Sequence, residues 1–151
     1  MSDRPIEIRA AALGDAVAIA GLLTQLGYPN TADGVRGRLT AMNADAGDRA
    51  LLACAGDAVL GFASVHLSPM MQHDGAVARI TAFVVDETAR GRGVGTAHFA
   101  ACAAYAASRA AERLEITSGD HRSSAHAFYT RRGCAREGQR FTKRVRSAPQ
   151  G

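Results

Sequence analysis

The chain has 151 residues, enough for one domain whose folding removes roughly two thirds of the unfolded surface from water. Its apolar fraction of 47% and charged fraction of 21% are ordinary for a soluble globular protein, and no apolar stretch is long enough to span a bilayer. The opening MSDRPIEIRA lacks the charged and apolar regions of a secretory signal. We therefore expect a cytoplasmic protein with a single domain over residues 1–146 and a disordered tail at 147–151.

The net charge of +4 is distributed unevenly. From Arg131 to the end, seven basic residues stand against Glu137 alone, which gives +6 there and about −2 for the rest of the chain. We interpret this end as a solvated basic face with a frayed tail. A basic nucleic-acid-binding protein is the alternative, although aromatic interleaving and a recognition helix are not evident.

The cysteines, Cys54, Cys102 and Cys134, are odd in number and far apart. Their spacing is neither that of a disulfide framework nor that of a zinc site. We interpret them as reduced, small apolar side chains, with a catalytic cysteine as the alternative. No metal site is expected.

The first third of the chain predicts one strand and two helices. IEIRAA alternates apolar and polar residues, as a strand does. Asp15 is expected to cap a helix over Ala16–Leu26 that ends at Gly27, and Thr31 is expected to cap a second helix that runs toward Met42.

The middle of the chain predicts a run of strands. RALLACA and AVLGFASVHL flank Gly56 and Asp57, a hairpin turn signal. SPMMQHDG is expected to be a loop, and AVARITAFVV a third long strand. An alanine-rich helix and the strand RLEITS follow.

Near the C-terminus, Ser123 or Ser124 is expected to cap a helix that continues through Arg132 and is stopped by Gly133. CAREGQRFTKRV predicts a closing strand or hairpin. The order of elements predicts a mixed α/β fold with one strand-helix-strand crossover.

The stretch ARGRGVGTAH, residues 89–98, lies between the third long strand and the alanine-rich helix. A helix that begins there exposes free N–H groups and a positive dipole end, which bind anions such as phosphate. Glycine lets a phosphate approach the backbone, and Arg90 and Arg92 add positive charge. The stretch does not fit the dinucleotide fingerprint, because Thr96 stands where its third glycine would fall. It does not fit a P-loop either, because no lysine follows. A tight turn that binds nothing is the alternative.

Two motifs resemble those of the GNAT superfamily of acetyl-CoA-dependent N-acetyltransferases. RGRGVG, residues 90–95, fits the signature [QR]-x-x-G-x-[GA], and FVVDETAR before it is similar to the fourth strand of that family. HRSSAHAFYTRRGC is similar to the second motif, with Ala125, Phe128, Tyr129 and Gly133 at the expected spacing. The resemblance covers nearly the whole chain. It implies an acyltransferase fold with a central mixed, mostly antiparallel sheet and about four flanking helices.

The resemblance also implies acetyl-CoA as cosubstrate, a primary amine as acceptor and direct attack in a ternary complex. It implies that the Val85 N–H stabilises the oxyanion and that Tyr129 is the general acid for the thiolate. The residues expected to hold acetyl-CoA are Phe83, Val84, Val85, Arg90, Gly91, Arg92, Gly93, Val94, Gly95, Thr96, Arg122, Ser124 and Tyr129.

Two positions depart from the family pattern. Arg122 stands where many relatives have asparagine, and Thr81 stands where many have glutamate. The second departure leaves the general base open among His66, His73, Asp74, His121 and a water chain. His98 and His126 are expected to be structural. The missing glutamate also motivates an alternative function, a catalytically silent acetyl-CoA sensor or scaffold.

The acceptor site is expected to be shaped by the first two helices and the SPMMQHDG loop. Its acidic residues are Asp33, Asp45, Asp48 and Asp74. Met70 and Met71 suggest either an adaptable apolar wall or core filling. A polyamine, an aminoglycoside, an amino acid or a protein N-terminus would each fit. A homodimer is possible by analogy with relatives.

Overall fold

The computed structural model describes residues 4–117 and 123–146. They fall into two compact units that divide after Thr117. The first unit contains β1 (Glu7–Ala10), α1 (Ala16–Leu26), α2 (Ala32–Asn43), β2 (Arg49–Ala55), β3 (Ala58–Ser68), β4 (Ala76–Val85), α3 (Val94–Ser108) and β5 (Ala111–Ile116), with 3₁₀ turns at Leu13–Asp15 and Glu87–Ala89. The second contains α4 (Ser123–Arg131).

The five strands form one mixed sheet in the order β1-β2-β3-β4-β5. The first four strands pair antiparallel with their neighbours. β5 pairs parallel with β4, because α3 carries the chain back across the sheet between them. The predicted fold class, a mixed and mostly antiparallel sheet with about four helices, is confirmed.

Helices cover both faces of the sheet. Ile19 and Leu22 of α1 and Val35 and Leu39 of α2 belong to one buried cluster with Leu52 of β2. Neighbouring residues of a strand point to opposite faces, so the next residue of β2, Ala53, belongs to a second cluster, with Leu60, Ala89 and Val94. α3 begins in that second cluster. The alternation of apolar residues therefore holds α1 and α2 on one face and α3 on the other.

Glycine and threonine signals mark the helix ends as predicted. Gly27 is left-handed, with φ of 107°, and ends α1. The Thr31 hydroxyl accepts a 3.0 Å hydrogen bond from the Gly34 amide and begins α2. Asp15 precedes α1 but does not cap it with its side chain. Its carboxylate instead accepts hydrogen bonds from the Ala12 amide and the Arg9 guanidinium, which together lower its pKa.

Several boundaries differ from the sequence-based expectation. β3 continues through Ser68, so the loop after it is shorter by one residue. β5 begins at Ala111 and not at Arg113, because Ala110 turns the chain with a positive φ of 56° directly after the helix. The two-residue shift follows from the parallel register, in which Ala111 lies opposite the first residue of β4, Ala76.

The second unit confirms the helix but contradicts the closing strand. α4 begins at Ser123, so neither Ser123 nor Ser124 precedes it as a cap. Gly133, with φ of 89°, ends it, and the Cys134 amide bonds back to the Tyr129 carbonyl. Residues 134–145 form no strand or hairpin, and they pair with no strand in the described part of the chain. The single domain over 1–146 stays a prediction, and the tail at 147–151 lies outside the described residues.

The cysteine and membrane expectations have structural counterparts. None of the three cysteines is in a disulfide, and burial raises the pKa of each thiol, for Cys102 to about 12. A protonated, buried thiol is a poor nucleophile, which disfavours the catalytic alternative.

Within residues 4–117 and 123–146, no helix is long and apolar enough to cross a bilayer, and no cluster suits a metal ion.

Candidate active site

The turn between β4 and α3 has a backbone that only glycine adopts easily. Gly91 and Gly93 both have φ of +80°, and among the described residues nothing beyond the chain neighbours lies within 4 Å of the position where a Cβ would stand at either one. Arg90, which precedes Gly91, and Arg92, which lies between the two glycines, are exposed. The turn is therefore open to solvent, and its conformation, not crowding, is what requires glycine.

This turn exposes the N-terminus of α3. The first bond of the helix joins the Ala97 amide to the Gly93 carbonyl at 3.1 Å, and Gly93 provides no side-chain cap. The amides of Val94, Gly95 and Thr96 thus lie outside the helical bonding ladder. They stand at the positive end of a 15-residue helix. Such a terminus is suited to a phosphate.

Two contacts hold the turn in place on the inner side. The Val94 side chain is 1% exposed and packs with Ala89 and Leu60 in the second buried cluster. One turn later, His98 is fully buried and bonds to the carbonyl of Leu51 in β2. The helix terminus is therefore fixed on the sheet and not left on a free loop.

Within the described residues, the end of β4 next to this turn pairs with a strand on one side only, and we call its other side the open edge. β4 pairs with β5 only as far as Ile80, opposite Ile116, whereas its pairing with β3 continues to Val85. The Asp86 amide donates to the Leu60 carbonyl of β3 at 2.7 Å. Successive peptide groups of a strand point to opposite edges, so the Val85 N–H points away from β3, to the open edge.

A chain of four polar side chains crosses the face of the sheet that α1 and α2 cover. The Asp48 carboxylate lies 2.8 Å from Nδ1 of His66, and the other ring nitrogen, Nε2, lies 3.0 Å from the Thr81 hydroxyl. That hydroxyl lies 2.8 Å from the hydroxyl of Ser64. We call Asp48, His66, Thr81 and Ser64 the polar chain.

A β-bulge brings Thr81 into the polar chain. Ser64 lies opposite Ala82, but the next residue of β3, Val65, lies opposite Ile80, so Thr81 is an extra residue in β4. Continued without the bulge, the register would place Thr81 opposite Val65, on the face of α3. The extra residue turns the Thr81 side chain to the face of Ser64 and His66.

The segment between α2 and β2 places Asp48. The Asp45 carboxylate accepts the Gly47 amide at 2.8 Å, and the Asp48 amide bonds to the Asp45 carbonyl at 3.3 Å. The Tyr105 hydroxyl of α3 donates to the Gly47 carbonyl at 2.9 Å, and the Leu67 amide donates to the same oxygen. Four hydrogen bonds therefore fix the turn from which Asp48 reaches His66.

The polar chain opens into a pocket of about 520 Å³. Acidic, basic and apolar side chains share its wall, so it suits a polar ligand of moderate size. It is lined by Asp45, Asp48, His66, Leu67, Ser68, Met70, Val77, Arg79 and Thr81.

Several residues proposed from the sequence lie elsewhere. Nδ1 of His73 is 3.9 Å from the Glu112 carboxylate, away from the polar chain. Met71 is fully exposed, so it belongs neither to the core nor to the pocket wall, which Met70 joins. Asp33 pairs with Arg36 on α2. Asp74 is exposed and does not line the pocket.

The second motif lies in the second unit. Ser124 is exposed near the start of α4, and the Tyr129 ring packs edge-on against Phe128 with 5.6 Å between centroids. His126 lies one turn before Tyr129 on the same helix. His121 and Arg122 lie outside the described residues.

Sequence reasoning placed His66 among five candidates and did not find Ser64 or the link from His66 to Asp48. Asp48 was considered only as a charge for the acceptor. The only available signal was the polar pair Ser64 and His66 on one face of an otherwise apolar strand.

Comparison with known proteins bears on the family and the fold. The model of the family described as "Acetyltransferase (GNAT) family" matches residues 23–134, about three quarters of the chain. No curated protein gives a significant match.

Solved structures share the fold at low sequence identity. A transcriptional regulator from Bacillus halodurans C-125 is 20% identical, with 92% of this chain and 100% of that chain covered and a TM-score of 0.83. A GNAT family acetyltransferase from Staphylococcus aureus is 21% identical, with 96% and 100% covered and a TM-score of 0.79. The glucosamine-6-phosphate N-acetyltransferase of Arabidopsis thaliana is 16% identical, with 95% and 100% covered and a TM-score of 0.81.

Proposed function

The chain belongs to the GNAT family of acetyltransferases, and from that premise we propose that it transfers an acetyl group from acetyl-CoA to a primary amine. The observation that carries the proposal is the combination of an open strand edge at 81–85 with a glycine turn that leads into an exposed helix N-terminus. The first feature suits an extended amide-containing arm and the second a phosphate group. Members of this family generally use acetyl-CoA, which has both.

The residues present fit this cosubstrate. The amides of Val94, Gly95 and Thr96 would hold the pyrophosphate, since no Cβ at Gly91 or Gly93 obstructs its approach. Arg90 and Arg92 would add charge. Phe83, Val84 and Val85 would pair with the pantetheine arm as an added strand would. In the second unit, Arg122, Ser124 and Tyr129 are proposed as further contacts.

Two groups are proposed for the chemistry of transfer. Acetyl-CoA supplies an activated thioester. The Val85 N–H, which points to the open edge of β4, would donate to the carbonyl oxygen as that oxygen gains charge, a contribution of about 3 kcal/mol. Tyr129 would give its phenolic proton to the departing thiolate, since a thiol has a pKa near 8.5 and tyrosine near 10.

The acceptor amine is proposed to enter the 520 Å³ pocket beside Thr81. Asp45 and Asp48 give the pocket two carboxylates that attract an ammonium group, and Met70 and Leu67 give it apolar surface. A cytoplasmic location, expected from the composition and the opening residues, and a homodimer, expected from the family resemblance, stay predictions.

The proposal is tested first by binding. Thermal unfolding is recorded with acetyl-CoA, and with NAD and ATP as phosphate-bearing controls. At about 100 times its Kd, a ligand adds about 2.7 kcal/mol of stability, and Tm should rise by roughly 5 to 11 °C. An equal rise with all three ligands, or none with acetyl-CoA, would remove the proposal.

Turnover is tested next with a panel of amines: spermidine, an aminoglycoside, L-lysine, glucosamine 6-phosphate and a peptide with a free N-terminus. Release of free thiol reports acetyl transfer. A chain that binds acetyl-CoA and acetylates none of these amines would instead support the acetyl-CoA sensor, whose motivating observation is threonine at position 81.

A further inference from the structure

We propose that the polar chain is the proton acceptor of this acetyl transfer and replaces the acidic side chain that many relatives have where this chain has Thr81. His66 takes the proton, Thr81 passes it on, and Asp48 is a positioning residue that orients the imidazole and stabilises its charged form. The inference rests on the proposed function, because it names the base of that same reaction.

With the His66 ring neutral, the hydrogen bonds of the polar chain have one self-consistent direction. A carboxylate only accepts, so Nδ1 of His66 carries the proton that is donated to Asp48. In the neutral ring Nε2 is then bare, and it accepts from the Thr81 hydroxyl. The Thr81 oxygen is left to accept from Ser64. In each of these three hydrogen bonds the acceptor lies nearer to Asp48 than the donor does. A proton that enters at Thr81 can therefore pass along the polar chain to His66.

The members of the polar chain differ in their exposure to solvent. The Asp48 side chain is 17% exposed and that of His66 34%, whereas Thr81 is exposed to the pocket. The proton on Nδ1 of His66 is thus held against the less exposed carboxylate of Asp48, and Asp45 lines the same pocket. On the facing strand, Arg79 lies opposite His66 in the register and lines the same pocket, and its guanidinium is 3.7 Å from the Glu115 carboxylate.

The distance along β4 determines how the proton arrives. Thr81 lies four residues before Val85, about 13 Å at the rise of an extended strand. An amine that attacks beside Val85 would therefore reach Thr81 through bridging water. Transfer through water is an accepted route for general bases.

The step balances in protons and bonds. The ammonium loses one N–H proton to pocket water, the water gives a proton to the Thr81 oxygen, and the Thr81 hydroxyl proton moves to Nε2 of His66. The neutral amine then forms the C–N bond as the C–S bond breaks. The second amine proton replaces the one that Tyr129 gives to the thiolate. His66 finally returns its proton to solvent, so that one proton is released per turnover.

The first test is the pH profile of His66→Gln with whichever amine of the panel reacts fastest. Glutamine can make hydrogen bonds but cannot accept a proton at neutral pH. We expect kcat/KM at pH 7 to fall by about 10²–10⁴-fold. The loss should shrink toward pH 10, where an alkylamine is increasingly neutral without a base. Thr81→Val should show the same pattern, and both variants should keep the acetyl-CoA thermal shift.

The second test separates positioning from general damage. Asp48→Asn should lower the maximum kcat/KM about tenfold or more, because the His66 ring loses the carboxylate that orients it at 2.8 Å. In NMR spectra of the ring nitrogens, His66 should carry its proton on Nδ1, and Asp48→Asn should remove that preference. His73→Gln, outside the polar chain, should match the wild-type profile.

The third test is a rescue. The double variant His66→Gln with Thr81→Glu places an acid at the position of many relatives and should recover at least tenfold of the activity lost in His66→Gln alone. A wild type that is inactive with every amine overturns the proposed function, and this inference with it. An active wild type whose profile is shared by His66→Gln, or an acetyl ester found on Thr81 by mass spectrometry, overturns this inference and leaves the proposed function standing.

Discussion

Nε2 of His98 donates to the Leu51 carbonyl oxygen at 3.0 Å and so ties the helix that begins at the glycine turn to strand β2. The other ring nitrogen, Nδ1, is buried and has no hydrogen-bond partner within the described parts of the chain. It lies 3.1 Å from the position where a Cβ on Gly61 would stand, and the ring packs at 5.5 Å from that of Phe83. Any larger residue at position 61 would displace the ring.

This burial predicts a pH-dependent stability. Desolvation lowers the pKa of His98 to about 4, against 6.5 for an ordinary histidine. Between these two values the unfolded chain binds a proton that the folded chain does not, so stability falls as pH is lowered through 6.5 toward 4 and is fully present above 6.5. From pH 7.5 to pH 5 we expect the free energy of unfolding to fall by about 2 kcal/mol from this group.

The measurement is urea unfolding of the wild type and His98→Gln at both pH values. The amide nitrogen of glutamine can still donate to Leu51, but it does not titrate. The variant should therefore lose about 2 kcal/mol less than the wild type over this interval. An identical pH dependence in both proteins would show that the ring is not held neutral.

The glycine turn predicts a combined loss of stability and binding in Gly93→Ala. A left-handed conformation costs a residue with a Cβ about 1–2 kcal/mol, and the added methyl group would stand where the phosphate is proposed to approach. Urea unfolding should show the loss of stability, and the Kd for acetyl-CoA should rise at least tenfold.

The matched control is Gly37→Ala on the exposed side of α2, where φ is not positive and the added Cβ has open space. It should stabilise the chain by up to about 1 kcal/mol and leave the Kd unchanged. If Gly93→Ala binds acetyl-CoA as tightly as the wild type, the turn does not hold the phosphate.

The proposed general acid predicts the effect of Tyr129→Phe. Loss of the hydroxyl should lower kcat by about 10²–10⁴-fold, while the ring still packs against Phe128 and the Kd for acetyl-CoA stays within a few-fold. Steady-state kinetics of thiol release, with the thermal shift for binding, would check both. Tyr28→Phe, at a mostly exposed ring, is the control and should change neither. Full activity in Tyr129→Phe would move the acid role to another group.

Local signals predicted most of the secondary structure. The apolar run over residues 76–85 and the helical period over 16–26 correspond to β4 and α1 residue for residue. The secondary-structure prediction failed for a segment whose pairing strand would have to be distant in the sequence. A strand over 134–145 needs another strand beside it, and the sequence pattern of one segment cannot supply that information.

The sequence by itself determined the glycine turn and the helix N-terminus, because positive φ at Gly91 and Gly93 and free amides at a helix start are properties of a few consecutive residues. Only the tertiary structure decided the polar chain. Asp48, His66 and Thr81 lie 15 to 33 positions apart and come from a turn and two strands. They meet because one extra residue in β4 turns Thr81 to the other face, a shift that leaves no mark on the hydrophobic pattern.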